Sequence, residues 1–298
     1  MMDNTLTAID ISKLPMPDVI RQVAADVILQ EMLADLAARD PTLKNLLPSD
    51  PIYTLLEVAA YREAVRRYQS NEDAKAVMVA LASDADLDHL AALFRVKRLV
   101  LEAGDPTQGI PPRMESDAAF RRRIVLAPEG YSVAGPEGAY IYHAISAHPD
   151  VLDVSATSPT PGDVIITVLS RSANGQPSQD VLDAVMAAVN QESVRPMTDH
   201  VTVQPAQITD YQVHARLHTY AGPDAAVVLS EAHRRITAYT TDTFRLGRDI
   251  ALSGLYAGLH VEGIQRVELI TPQQGLTMDR TQAARCTNIT VVHGGVDE

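Results

Sequence analysis

One stretch of the chain, LEAGDPTQGIPPRM at 101–114, carries neither helical nor strand periodicity and is crowded with proline and glycine. Regular secondary structure does not run through such a segment, so it divides the sequence into two regimes. Before it, apolar residues recur only at helical spacing. After it, helical and alternating patterns take turns. The pattern predicts an α+β protein: a helical arm over 1–100, a linker over 101–114, a first small α+β unit over 115–208 and a second over 209–298. The strands are expected to be mainly antiparallel.

In the arm, residues 1–18 are expected to be extended, because Pro15 and Pro17 break helix. Helical spacing then covers 18–39, with Asp18 as a capping residue, and 52–82. In the second of these, Leu55, Val58, Tyr61 and Val65 form a stripe, and Glu63 precedes Arg66 and Arg67 by three and four residues. A third helix at 83–94 starts at Ser83 or Asp84 and sets Leu87, Leu90 and Phe94 on one side. No second layer in the arm is long enough to cover all these stripes. They are expected to form core or a bundle interface.

Beyond the linker, helices are expected at 115–127, 136–148, 178–191, 224–244 and 248–260. Strands are expected at 151–159, 164–170, 200–208, 210–220, 264–272 and 287–293. Two stretches share one plan of short helix, turn, strand, connection and returning strand. The strand at 164–170 is only partly amphipathic, which predicts either cover on both faces or a place in an interface.

The stretch FRRRIVLAPEGYSVAGPEGAY at 120–140 has the glycines, serine and arginines that a hydrolase elbow or a phosphate cradle would use. A nucleophile elbow reads G-x-S-x-G after a strand. Here Gly130 to Gly135 is one residue too long around Ser132, and a helical pattern precedes it. A phosphate loop needs lysine after its last glycine, but Pro136 stands there and Glu137 follows. Arg121, Arg122 and Arg123 fan around a helix. They suit a solvated face or a protein contact. A hydrolase using Ser132 and a nucleic-acid adaptor using the arginines are the alternatives to a structural role.

The balance of 38 acidic to 25 basic residues, a net charge of -13, opposes nucleic-acid and membrane-surface binding. Cys286 is the one cysteine, which excludes an internal disulfide framework. Its flanks suggest a buried, inert thiol. His143 and His148, five apart, share no helical face, and His214 and His218 lie too far apart along a strand to ligate one metal. Asp84, Asp86 and Asp88 imitate a calcium loop but lack its glycine and glutamate. No catalytic residue, cofactor or metal is therefore expected. The N-terminus does not read as a signal peptide and no run has the ~18 apolar residues of a membrane span, so synthesis in the cytoplasm is expected.

Four strings carry a resemblance: LLEVAAYREAVRRYQSNEDAKAVMVALASDADLDHLAALFRVKR, then 115–171 from ESDAAFRRRIVLAPEGY onward, VRPMTDHVTVQPA, and LGRDIALSGLYAGLHVEGIQRVEL. From about residue 50 to its end the chain resembles the baseplate assembly protein J family of contractile-tailed phages, R-type pyocins and related contractile injection systems. Asp84 and Arg95 stand where relatives often carry glycine. The resemblance implies a non-enzymatic wedge component of a baseplate. Its partners would be a second copy of itself, a tail protein I-like chain, a small wedge protein linking to the sheath, and neighbouring wedges in a six-fold ring around spike and hub. It further implies that the helices join a bundle with partner chains. Leu55, Val58, Tyr61, Val65, Leu87, Leu90, Phe94 and Arg121 to Arg123 are the expected interface residues.

Overall fold

The computed structural model describes residues 24–222 and 224–296. The extended start expected over 1–18 and the Asp18 cap lie outside them. The described chain divides into two compact units. One holds the residues up to Arg98 together with Ser116–Val125; the other holds Leu99–Glu115 and the chain from Leu126 on. The helix expected to open the first α+β unit thus belongs to the helical unit. It is held there by side chains rather than by sequence neighbours, as described below.

The helical unit contains α1 (Ala25–Arg39), α2 (Pro51–Ala76), α3 (Asp84–Leu93) and α4 (Asp117–Leu126). Asp40 ends α1 and accepts the Thr42 N–H at 2.9 Å, which turns the chain. Pro51 opens α2, where its missing N–H costs nothing. The two helices pack through Ile28, Leu29 and Ala60, with Tyr53, Leu56 and Ala64 beside them. Glu63 pairs with Arg66 at 2.8 Å and Arg67 at 2.9 Å, as its spacing predicts.

Neither Ser83 nor Asp84 caps α3 with its side chain. Asp84 and Arg95, at the two ends of that helix, instead have φ of 47° and 59°, in the left-handed region. An L-residue there is strained by roughly 1–2 kcal/mol, partly offset because glycine loosens the unfolded chain. Replacing Asp84 or Arg95 by glycine should therefore stabilise the protein by about 0.5–1 kcal/mol each. Urea unfolding of the single variants checks this; a loss of stability in both would contradict it.

The other unit opens with a two-stranded hairpin where a linker was expected. β1 (Val100–Glu102) pairs antiparallel with β2 (Arg113–Met114), and Arg113 meets Glu102 at 2.6 Å. Proline- and glycine-rich composition suits a wide turn as well as a linker. The Asp105 carboxylate accepts the Thr107 N–H at 2.9 Å and tightens that turn.

Two α+β halves follow. The first has α5 (Glu137–Ala147), β3 (Val151–Thr157), β4 (Asp163–Ser170), α6 (Gln179–Val189) and β5 (His200–Pro205) in the order β3-β4-β5. The second has β6 (Gln207–Thr219), α7 (Ala225–Thr243), α8 (Leu252–Leu259), β7 (Ile264–Thr271) and β8 (Gln282–Val296) in the order β7-β6-β8. Each of these sheets joins one antiparallel and one parallel ladder, and with the β1–β2 hairpin the ladders of the described residues are mainly antiparallel. In the first half, α6 supplies the crossover that a parallel neighbour requires. The shared plan read from the sequence is also looser than expected: β3 and β4 pair directly, whereas β6 sits between β7 and β8.

Alternation on β6 is sharp. Tyr211, Val213, Ala215 and Leu217 are buried against Ala232, Ile236, Leu255 and Leu259 of the covering helices. Gln212 and Arg216 point the other way and are exposed. The first sheet is covered on both faces, one of the two outcomes that its weak amphipathicity predicts. On its back face Asp153 Oδ2 accepts the Leu246 N–H at 3.0 Å and Ser155 Oγ donates to the Arg280 carbonyl. β5 runs into β6 through buried Ala206. There the hydrogen bonds pass from one sheet to the other: Ala206 N–H donates to Val168 O and Gln207 N–H to Thr281 O, both at 2.9 Å.

Candidate assembly surface

An α-helix turns 100° per residue, which places Tyr53, Leu56, Ala60 and Ala64 of α2 on the side that meets α1. Val58, Tyr61, Val65 and Tyr68 fall about a third of a turn away, and Ile52 and Leu55 close the circle on the far side. The first half of α2 therefore carries apolar residues well beyond the face that meets α1, interleaved with Glu57, Arg62 and Arg66. Leu55 is 68% exposed, Val58 52%, Tyr61 65% and Val65 38%. Among the described residues the stripe is not core. Tyr68 is exposed as well and lengthens the stripe, and Ile52 is exposed beside Leu55. The sequence pattern carried them too, as an apolar set wider than one face needs. Beside the stripe a groove of about 950 Å³ runs between α1 and α2, with Leu29, Val58, Tyr61 and Val65 among its walls and Asp26 and Arg66 at its margin.

The residues expected to close this stripe are placed differently. Leu87 is fully buried and Leu90 and Phe94 are half-buried, so Leu87 is core and not interface. A 10-residue helix such as α3 has too little surface to serve two apolar layers, and its own unit takes the inner one.

The arginine run is likewise engaged within the chain. Arg121 Nε donates to the Val79 carbonyl at 2.6 Å, and its Nη2 donates to the Ala82 carbonyl. Arg123 is 3% exposed and donates to the Lys97 carbonyl. Arg122 is half-buried. The chain between α2 and α3, and the chain after α3, leaves these carbonyls without helical or sheet partners, and guanidinium groups satisfy them. Arg123 is thus buried, and half-buried Arg121 is engaged by backbone carbonyls of its own unit. They fasten α4 to the helical unit.

Arg98 completes this arrangement. It meets Asp117 at 2.7 Å and Asp88 at 2.8 Å, and its guanidinium lies 4.6 Å from the centre of the fully buried Phe120 ring. Burial works against the Arg98 charge, but the two carboxylates outweigh it and raise its pKa. For Asp117, burial alone would raise the pKa; the Arg98 hydrogen bond and the Asp84 N–H outweigh it and hold the carboxyl below its usual range. A folded-state pKa below the unfolded value means a contribution present above about pH 4 and lost as pH falls through the folded value. Asp117→Asn should cost about 1–2 kcal/mol at neutral pH and flatten part of the stability loss below pH 4. Urea midpoints measured from pH 7 down to pH 3 check this, and an unchanged acid slope would count against it.

The apparent site at 130–137 is a corner. Ser132 Oγ accepts the Ala134 N–H at 3.3 Å. Glu137 is ion-paired with Arg280. Gly135 has φ of 71°, and a Cβ on it would lie 2.7 Å from Pro196 Cγ, so both backbone and space require glycine. His143 bonds the Gly130 carbonyl at 3.1 Å, and His148 Nδ1 accepts the Asp150 N–H. Among the described residues no group of three His, Cys, Asp or Glu is placed to hold a metal ion. No helix among them is long and apolar enough to cross a membrane. Cys286 is half-buried on β8, and burial pushes its thiol pKa up.

Three baseplate family models match successive parts of the chain. Residues 48–105 match the Baseplate J-like N-terminal domain, 132–205 the Baseplate J-like central domain and 211–292 the Baseplate J-like protein C-terminal domain. Baseplate protein J of Escherichia phage P2 is 46% identical over 300 residues, covering 97% of this chain and 99% of that protein. A chain in the cryo-EM structure of the anti-feeding prophage (AFP) baseplate, 6-fold symmetrised, is similar with a TM-score of 0.41 at 15% identity. The likeness spans 59% of this chain and 43% of that one. With three successive domain models matched in order and 46% identity across nearly its whole length, the chain belongs to the baseplate J-like family.

Proposed function

We propose that this protein is a wedge component of a contractile-tail baseplate, paired with a second copy and with a tail protein I-like chain. In this reading a small wedge protein links the wedge to the sheath, and neighbouring wedges close a six-fold ring around the central spike and hub. The coarser statement rests on the family: the chain is a structural component of the baseplate of a phage or tail-like particle. The observation that supports the finer one is the exposed apolar stripe of α2, Leu55, Val58, Tyr61 and Val65, on faces that α1 leaves open. Such a helix gains most by entering a bundle with helices of other chains. A catalytic role draws no support from Ser132, whose hydroxyl serves a local turn. A nucleic-acid role draws none from Arg121 and Arg123, which bond backbone carbonyls of their own unit.

The test is co-expression with a tail protein I-like partner from the same tail cluster, followed by size exclusion with light scattering. A stable hetero-oligomer is expected. A clean monomer that never binds the partner would sink the wedge reading.

A further inference from the structure

The edge of a sheet presents unpaired N–H and C=O groups, and folded chains protect such edges with charged side chains, proline, short length or cover. Three of the four edge strands in the two α+β sheets are protected in these ways. β3 is largely buried, β5 ends at Pro205, and β7 carries exposed Arg266 and Glu268 and stops before Pro272. β8 is the exception. At 15 residues it is the longest strand of the described chain, and it pairs along its length with β6. Only its start is covered on the outer side: the Gly247 N–H donates to the Gln282 carbonyl at 2.9 Å, and Leu246 bridges to Ala283. From Thr287 to Val296 it reads TNITVVHGGV, without carboxylate, lysine, arginine or proline. Among the described residues no strand lies beyond it. The bare run is about 33 Å long.

The side chains of β8 are as incomplete as its backbone. Register sets Ile289 beside Val213 and Val291 beside Ala215. The two β6 residues are fully buried under the helices, whereas Ile289 and Val291 of the same apolar layer are half-buried. The layer runs out to β8 and ends there unsealed. Val292 and Val296 are 37% and 57% exposed.

We propose that the outer edge of β8, from Thr287 to Val296, receives an extended segment of a different protein as one more strand of the sheet. The edge dictates the chemistry of that segment. It is an uncharged strand with β-branched or aromatic side chains at alternate positions, which lie beside Ile289 and Val291 and seal the layer. Main-chain hydrogen bonds supply the affinity, and the alternate side chains supply the choice of partner. A second copy offers a poorer strand. Among the described residues its one unprotected edge is β8 itself, which brings Ile289 and Val291 to the layer and then His293 and Gly295. The proposal stands on β8 and needs neither the α2 stripe nor the wedge reading.

A short peptide tests it on the full-length protein. The probe is Lys-Val-Thr-Val-Thr-Val-Thr-Val-Lys, N-methylated at its threonines so that one edge alone can pair and fibrils cannot grow. The control is the same peptide N-methylated at every residue. Hydrogen exchange within 287–296 should slow by about tenfold or more with the probe and stay unchanged with the control. Lysines placed inward on the edge, I289K/V291K, should abolish the protection, and the apolar exchange I289V/V291I should keep it. Circular dichroism checks that both variants are folded, and the two peptides on wild type decide the matter even where the lysine variant unfolds. No protection by the probe, or equal protection by both peptides, overturns the proposal. A wild type that self-associates with 287–296 already protected, and loses both properties in I289K/V291K, would place a second copy on the edge and overturns the choice of partner. Binding of the tail protein I-like chain is a separate measurement, and either result there leaves this one standing.

Discussion

Charged residues placed at Val58 and Tyr61 should leave the chain folded and remove it from its complex. Both side chains are more than half exposed, so V58E/Y61E loses little within the chain: surface substitutions of this kind change stability by roughly ±0.5 kcal/mol. In a bundle the same positions would be enclosed by partner helices. A carboxylate buried there without a partner costs several kcal/mol, enough to weaken association by about a thousandfold or more. The measurement is co-purification with the tail protein I-like chain, beside a thermal melt of the variant alone. An unchanged melt with lost co-purification is expected. A variant that still co-purifies at wild-type yield would show that the α2 stripe is not the interface, whatever else the protein binds.

The second large effect is expected inside the helical unit. Phe120 is fully buried, with Arg98 at 4.6 Å and Arg123 at 5.8 Å from its ring centre. Phe120→Ala leaves a cavity where the ring stood and exposes two guanidinium groups to that void. The expected cost is about 3–5 kcal/mol, with the lost cation–π contacts included. Phe120→Leu keeps most of the volume and should recover more than half of it. Equilibrium urea unfolding of both variants checks the order. Equal costs would mean that volume at this position is unimportant and that α4 is held by its arginines alone.

Helical and strand patterns were legible because they repeat. The alternation Tyr211, Val213, Ala215, Leu217 and the stripe Val58, Tyr61, Val65 both follow from local spacing, and the structure keeps them, one buried and one exposed. The destinations of Arg121 and Arg123 were not legible. Their partners are main-chain carbonyls 26 to 42 residues away, and carbonyls leave no mark in a sequence. The hairpin at 100–114 was missed for a related reason: it has two short strands and a proline-rich turn, too little repetition for any period to show. Strand neighbours were also hidden. Nothing in the spacing of β7 and β8 says that β6 will come between them. The bare outer edge of β8 became visible only once that order was known.

The passage of one strand through both sheets at Ala206 has a consequence for anyone who would trade pieces between relatives. Matches to the central and C-terminal domain models stop at 205 and begin again at 211, and so suggest two portable modules. A cut there would sever a continuous strand, open the β4 and β8 ladders together and bare the small cluster of Leu169, Ala206 and Ala283. Chimeras should therefore exchange both halves as a single block. Within that block, a destabilising change on either side of Ala206 should be felt as one loss of cooperativity rather than as the melting of a separate module.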